Sequence, residues 1–230
     1  VSLIGRVAAS GTRSQTLAEL ASQWETSPDA LQVLTEWEQR VGEGRPLAGV
    51  DVVVDAAHTP NGRLAAEIFT SLGATAEVLD GDVWDIEGEH RADPSRMENL
   101  EPLKARMTAT GKSLGIAFDL DGDRLAVVIR QPDGQFLVLY ADDLMAALIP
   151  FLVEQGGYDP KRMKLALVRD VLGSTAIDDV AARFGIEVYE TDTGYVYVKA
   201  KTQELKRKGY TVPIRSESSG HGWLQVTGEY

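Results

Sequence analysis

The feature that most constrains the fold of this 230-residue chain is a regular alternation of short apolar runs with glycine-terminated amphipathic stretches, played through twice. Val50-Asp51-Val52-Val53-Val54 is a nearly unbroken β-branched run, the pattern of a strand covered on both faces. Gly62 to Leu72 follows as a helix closed by Gly73, and Ala76-Glu77-Val78-Leu79 as a second strand. A helix over Met97 to Thr108, ending near Gly111, leads into a strand at Gly115-Ile116-Ala117-Phe118. Leu125 to Ile129 and Gln135 to Leu139 then form a hairpin across Pro132-Asp133-Gly134. A helix from Asp142 to Gln155 and the breaker Gly156-Gly157-Tyr158-Asp159-Pro160 end this unit.

The second round predicts a strand at Lys164 to Val168, a helix at Ser174 to Phe184 and a strand at Ile186 to Tyr189. A helix at Tyr195 to Lys208 and a strand at Tyr210 to Ile214 complete it. Alternation of this kind demands mixed, mainly parallel sheets with helices on both faces. The expected fold class is α/β: two tandem three-layer α/β/α domains, over residues 47–157 and 158–230, preceded by a helical segment over residues 1–46. In that segment Ser27 is the N-cap and Pro28 the first helical residue, and Leu31, Leu34, Trp37 and Val41 make an apolar stripe that must dock on a neighbour.

The strand at Gly115 to Phe118 runs directly into Asp119-Leu120-Asp121-Gly122-Asp123-Arg124. Three carboxylates at alternate positions crowd like charges together, which raises their pKa values or requires a cation. An all-carboxylate donor set suits a hard ion such as Mg²⁺ and not zinc, which favours His and Cys. Arg124 adds a planar, permanently charged group of the kind that holds phosphate. Acidic clusters are commonly just solvated loops, but catalytic groups in open α/β sheets sit at the carboxyl ends of such strands. An EF-hand loop is excluded, because Arg124 and Arg130 occupy the positions where it needs Gly and Glu.

Composition narrows the partners. A net charge of -12 argues against nucleic acid, and an anionic substrate would have to be held by locally placed Arg and Lys. With no cysteine, disulfides, thiol catalysis and Cys-zinc sites are excluded, and the expected location is the reducing cytoplasm. Leu144 to Val153, the longest apolar stretch, is too short to span a membrane and contains Pro150, so no membrane association is expected. A start at Val1 and an end after Gly228-Glu229-Tyr230 are read as those of a fragment of a longer protein.

A second polar loop, Ser216-Glu217-Ser218-Ser219-Gly220-His221, follows the last expected strand about a hundred residues after the acidic one. Together the two loops resemble the α-D-phosphohexomutase family, which includes phosphomannomutase and phosphoglucomutase. Its members carry an Asp-x-Asp-x-Asp-Arg metal loop after a Gly-Ile-Ala-Phe-like strand, in register with Asp119, Asp121, Asp123 and Arg124. Their sugar loop reads Gly-Glu-x-Ser-Gly-His, with Ser216 here replacing the first glycine. Val52-Val53-Val54-Asp55, Glu98-Asn99-Leu100-Glu101-Pro102-Leu103 and Thr193-Gly194-Tyr195 follow the family's landmarks in order.

The resemblance places residues 47–157 on the family's second, metal-binding domain and 158–230 on its third, sugar-recognition domain, the latter stopping before its final helix. Family domains 1 and 4 have no counterpart, so the phosphoserine donor is expected to be missing and the chain alone inactive. Ala57-His58-Thr59-Pro60-Asn61 is only faintly like the phosphoserine loop, and Thr59 is not read as a phosphorylation site. The implied reaction is isomerisation in carbohydrate metabolism: a sugar 1-phosphate and 6-phosphate interconvert through a bisphosphate, a chemistry of positioning and charge neutralisation.

In that reading Asp119, Asp121 and Asp123 hold Mg²⁺, and Arg124 clamps the migrating phosphoryl group. Glu217, Ser219 and Tyr195 contact the hexose phosphate, and His221 acts as general acid/base or ties down its own loop. Arg169 is a weaker candidate for a basic contact, while His58 and His90 read as solvent-exposed loop residues. Two rivals remain. Phe118-Asp119-Leu120-Asp121-Gly122 also resembles the nucleophile loop of haloacid-dehalogenase-like phosphatases, with Asp119 attacking phosphorus and Asp121 as acid/base. Asp123 does not fit that family, and Asp178-Asp179 falls within a helix and not in an acidic metal loop. The other rival is a non-catalytic metal- and sugar-phosphate-binding module.

Overall fold

The computed structural model describes residues 39, 42–85 and 91–225; the expected helix bearing Leu31, Leu34, Trp37 and Val41, and also His90, lie outside them. The first sheet contains β1 (Asp51–Asp55), β2 (Thr75–Leu79), β3 (Leu114–Phe118), β4 (Leu125–Arg130) and β5 (Phe136–Leu139) in the order β2-β1-β3-β4-β5. β1 pairs in parallel with β2 and β3, whereas β4 and β5 return antiparallel. α1 (Pro60–Ser71) connects β1 to β2, and a 3₁₀ turn at Met97–Leu100 continuing into α2 (Glu101–Thr110) connects β2 to β3.

The β-branched run of β1 is buried from Val52 to Asp55 because it has a helix on each side. Val53 packs with Leu100, Leu103, Met107, Ala117, Ala126 and Val128 under α2, while Val52 and Val54 meet Ala66 under α1. α2 ends where Gly111 takes the left-handed conformation at φ 72°, as its position after the last apolar residue predicts. The close approach of α1 to the sheet requires Gly62: a Cβ there would lie 2.3 Å from Ala56 Cα.

The second sheet contains β6 (Ala166–Asp170), β7 (Glu187–Thr191), β8 (Ile214–Ser216) and β9 (Gly222–Leu224) in the order β7-β6-β8-β9. β6 is parallel to β7 and β8, and β9 returns antiparallel. α3 (Ala141–Glu154) and α4 (Ala176–Arg183) cover one face through Ile149, Leu152, Leu167, Ile177 and Ile214. α5 (Tyr195–Arg207) covers the other through Val198 and Leu205 against Ala166, Val168 and Val212. The architecture is thus two three-layer α/β/α units of mixed sheets. Each repeats one plan: a central strand, a helix to an outer strand, a helix to the strand on the far side, then an antiparallel return.

Several elements differ from the sequence expectation. The strand expected at Lys164 to Val168 runs over Ala166–Asp170, and that expected at Tyr210 to Ile214 is confined to Ile214–Ser216, with only a bridge between Leu165 and Thr211 ahead of it. Ser216, expected in the loop, is therefore the buried last residue of β8, and β9 was not expected at all. α3 buries Ile149 and Leu152 in the second unit's core, so packing divides the units near residue 140, whereas the apolar pattern placed the division at 157. Among the described residues no helix is long and apolar enough to cross a membrane.

Alanine is the better helix former, yet Gly62→Ala is expected to lower stability by about 1–3 kcal/mol, the usual range for overpacking, because the added Cβ meets backbone. Urea denaturation checks this, with Gly42→Ala, whose Cβ would meet nothing and whose φ is likewise not positive, as the control.

Candidate functional site

In both sheets the crossovers leave opposite faces of the central strand, so the topological switch falls between β1 and β3 in the first and between β6 and β8 in the second. Ligands of open α/β sheets bind outside the carboxyl ends of the strands at such points. The acidic loop Asp119–Arg124 connects β3 to β4 there, and the loop Glu217–His221 connects β8 to β9 at the matching place. The two loops meet: Arg124 and His221 form an antiparallel bridge at the starts of β4 and β9.

Asp119 organises the first loop. Its carboxylate is fully buried; Oδ1 accepts the backbone N–H groups of Gly122 and Arg124 at 3.0 Å each, and Oδ2 accepts Arg124 Nε–H at 2.6 Å. Burial alone would raise this carboxyl, but the backbone N–H and guanidinium of Arg124 outweigh it and hold Asp119 below the ordinary carboxylate range. Reciprocally, the hydrogen bond to Asp119 pushes Arg124 above its already high value. Asp93, held low by Ser95, lies 3.9 Å from Arg124 Nη1.

Oxygens of Asp119, Asp121 and Asp123 lie within 4.8 Å of one another. Ligands on opposite sides of a Mg²⁺ ion stand about 4 Å apart for bonds of about 2.1 Å, so small rotations of the exposed Asp121 and Asp123 suffice to enclose one. Asp119 retains acceptor capacity, since a carboxylate has about four lone-pair positions and three are used. The donor set therefore fits a hard divalent ion.

The loop is braced from the first turn of α1. Asn61 Nδ2–H donates to Leu120 O at 3.2 Å, and Gly122, at φ 79°, would bring a Cβ within 2.7 Å of Asn61 Cγ. Ala57 and His58 both have positive φ, a strained pair of non-glycine residues fixed by Asp55 Oδ1 on Ala57 N–H and by Asp80 O on His58 N–H. His58 Nδ1 lies 3.1 Å from Asp82 O with a largely buried side chain, not the solvent-exposed residue expected. Thr59 is buried at the start of α1.

In the second loop Glu217 is buried, and its Oε2 receives Ser219 Oγ–H at 3.0 Å and lies 3.0 Å from His221 Nδ1. His221 Nε2 faces Asp123 Oδ2 of the acidic loop at 3.2 Å. The structure thus brings Asp119, Asp121, Asp123, Arg124, Glu217, Ser219 and His221 into one locus. Tyr195, half exposed at the start of α5, lines a cavity of about 570 Å³ with Asp123, His221, Gly222 and Trp223. Its ring lies 5.5 Å from Trp223, which stacks on His221 at 5.8 Å.

Arg169, the weak candidate, is instead consumed by ion pairs to Asp178 at 2.6 Å and Glu190 at 3.0 Å. Sequence reasoning missed its neighbour Asp170, a buried carboxylate whose oxygens accept Ser218 N–H at 3.2 Å and Ser218 Oγ–H at 2.7 Å. The signal was present: Asp170 ends β6 as Asp55 ends β1. Trp223 was also missed, because nothing local marks a return strand.

The profile described as "Phosphoglucomutase/phosphomannomutase, alpha/beta/alpha domain II" matches residues 34–134, and that for domain III of the same family matches residues 140–227. The chain belongs to the phosphoglucomutase/phosphomannomutase family. It is 36% identical over 194 residues to a phosphomannomutase/phosphoglucomutase of Pseudomonas putida, covering 82% of this chain and 38% of that protein. A phosphoglucosamine mutase of Pseudomonas fluorescens is 29% identical over 175 residues, covering 76% and 36%. The crystal structure of a family protein from Burkholderia thailandensis superposes with a TM-score of 0.65 at 30% identity, over 83% of this chain and 38% of that one. The fold is also that of Aspergillus fumigatus N-acetylphosphoglucosamine mutase, TM-score 0.57 at 16% identity over 78% of this chain and 37% of that one, solved with GlcNAc-6P and magnesium. The chain spans less than two fifths of the length of these relatives.

Two outcomes are expected. Asp170→Ala leaves Ser218 N–H without its buried acceptor and should cost about 1.5–3 kcal/mol in denaturant unfolding, the range for a hydrogen bond to a charged group. Asp119, with its folded pKa depressed, contributes stability that is complete above its unfolded value of about 3.9 and is lost as pH falls through the folded value. Below about pH 4 the stability advantage of the wild type over Asp119→Asn should therefore shrink steadily, as acid titration of the two unfolding midpoints will show.

Proposed function

We propose that this chain provides the metal-binding and sugar-recognition domains of an α-D-phosphohexomutase, which interconverts the 1- and 6-phosphates of a hexose through a bisphosphate. The observation that carries the reading is the convergence, at one backbone bridge, of three clustered carboxylates with an arginine on one side and a Glu-Ser-His set on the other. Domains I and IV, and the phosphoserine of domain I, would act beside these two. The Aspergillus neighbour's complex with GlcNAc-6P and magnesium supports both the substrate class and the ion. The lack of cysteine fits a reducing cytoplasm.

Asp119, Asp121 and Asp123 would hold the magnesium, which supplies Lewis-acid neutralisation of charge on the transferring phosphoryl group. Arg124 is held through Nε by Asp119, and its remaining N–H groups would serve phosphoryl oxygens from that fixed position. Glu217 can accept hydrogen bonds from hexose hydroxyls, with Ser219 fixing its carboxylate. Tyr195, Trp223 and His221 line the cavity in which the ring would lie, with the ring nitrogens of His221 turned to Asp123 and Glu217. The phosphatase alternative fares worse because Asp119, the nucleophile it requires, is buried under three donors that lower its basicity.

With Mg²⁺ and a hexose 1,6-bisphosphate, saturable binding is expected by calorimetry, and Asp119→Asn should abolish ion binding. In a coupled assay on glucose 1-phosphate or mannose 1-phosphate with bisphosphate primer, this chain alone is expected to give no sustained isomerisation. Absence of both ion and bisphosphate binding would overturn the proposal. Steady release of inorganic phosphate through an aspartyl-phosphate lost in Asp119→Asn would favour the phosphatase instead.

A further inference from the structure

Three carboxylates share the acidic loop, but they are not equally prepared to hold an ion. Asp119 is pinned by three donors, whereas the Asp123 side chain is 56% exposed and is free to rotate on its own account. What restrains it comes from the other unit: His221 Nε2 sits 3.2 Å from Oδ2, which leaves Oδ1 for an ion. His221 is in turn held by several contacts. Its backbone bridges Arg124, its ring stacks on Trp223 at 25° and 5.8 Å, and its Nδ1 lies 2.7 Å from Ser219 Oγ and 3.0 Å from Glu217 Oε2. Glu217 is nearly inaccessible to solvent, with a side chain 5% exposed.

We propose that His221 is a positioning residue that couples the ion site to the sugar-recognition carboxylate, through the unbroken line Asp123–His221–Glu217 across the two units. This rests on the metal reading above and extends it. Groups that orient a metal-binding carboxylate from outside its coordination sphere typically set metal affinity by about 10–100-fold. Such a coupling is reciprocal, so an ion that fixes Asp123 also fixes His221 and, through it, the Glu217 carboxylate beside the ring. Ion and sugar phosphate would then bind cooperatively with no large movement, since each pre-orders a side chain that the other uses.

The test reads Mn²⁺ binding to the intact chain by calorimetry and by electron paramagnetic resonance, without any assay of turnover. His221→Ala should weaken Mn²⁺ by about tenfold or more. The amide variants separate positioning from mere loop integrity. His221→Gln places a donor near the Nε2 position, toward Asp123, and should bring affinity back to within about threefold of wild type; His221→Asn places its amide near Nδ1, toward Glu217, and should remain as weak as alanine. Glu217→Gln, remote from the ion, should weaken Mn²⁺ by about threefold or more if the line transmits. Wild-type affinity in His221→Ala, or equal weakening in the Gln and Asn variants, would overturn the coupling while leaving the metal site intact. No Mn²⁺ binding by the wild type would overturn the metal reading and the coupling together.

Discussion

The pair between the buried Asp119 and the partly exposed Arg124 is the interaction on which the rest of the site depends. A carboxylate at the end of β3 has lost its water, and desolvation by itself would neutralise it. It stays charged because the loop folds back to supply two backbone N–H groups and the guanidinium that follows them. The same fold-back sets where the chain leaves the loop, and so brings the Arg124 backbone against His221. Charge satisfaction inside one loop thereby determines the meeting of two. Removing the guanidinium would leave the buried Asp119 charge short of its cationic partner, which costs far more than the pair contributes as a net gain.

The two units solve the same problem with one topology and different chemistry. Each central strand ends in a buried aspartate, Asp55 or Asp170, at the switch point. Asp55 accepts Ala57 N–H and helps to hold a strained turn beside the acidic loop, whereas Asp170 reaches to Ser218 and holds the neighbouring hairpin. Each third strand then delivers a hairpin loop: an acidic, solvent-facing one after β3, and after β8 one whose carboxylate is withdrawn behind Ser219 and His221. The first suits a small hard cation that demands charge. The second suits neutral hydroxyls that are recognised by directional acceptors.

What was legible in the sequence is what depends on neighbours along the chain. β1 reads as a buried strand because the β-branched run needs no knowledge of its partners, and Asp119, Asp121 and Asp123 read as one cluster because three alternate residues of a turning loop must converge. What was not legible depends on contacts between distant segments. Tyr210 to Val212 has the pattern of a strand, but Tyr210 uses its hydroxyl on Glu187 and only Thr211 bridges toward β6, so regular pairing starts at Ile214. Met145 of α3 lies against Gly222 at the start of β9, a contact 77 residues apart in sequence that no local period could announce. The apolar residues of α3 demand burial, yet periodicity does not say in which of two cores they lie.

That ambiguity over α3 also explains how the halves of the site hold together. Tyr140 is the sole residue between β5 and α3, and it serves both units: its ring packs with Phe136 and Val138 on the first core while its carbonyl accepts Leu144 N–H in the first turn of the helix. The covalent link is thus short and anchored, and the Arg124–His221 bridge supplies a second attachment at the open end. Two attachments at separate points remove most of the relative rotation that a single flexible linker would leave, since only swings about the line joining them stay soft. Asp123 and His221 adjoin the second attachment, where their side chains meet at 3.2 Å, so their separation should change little during such swings.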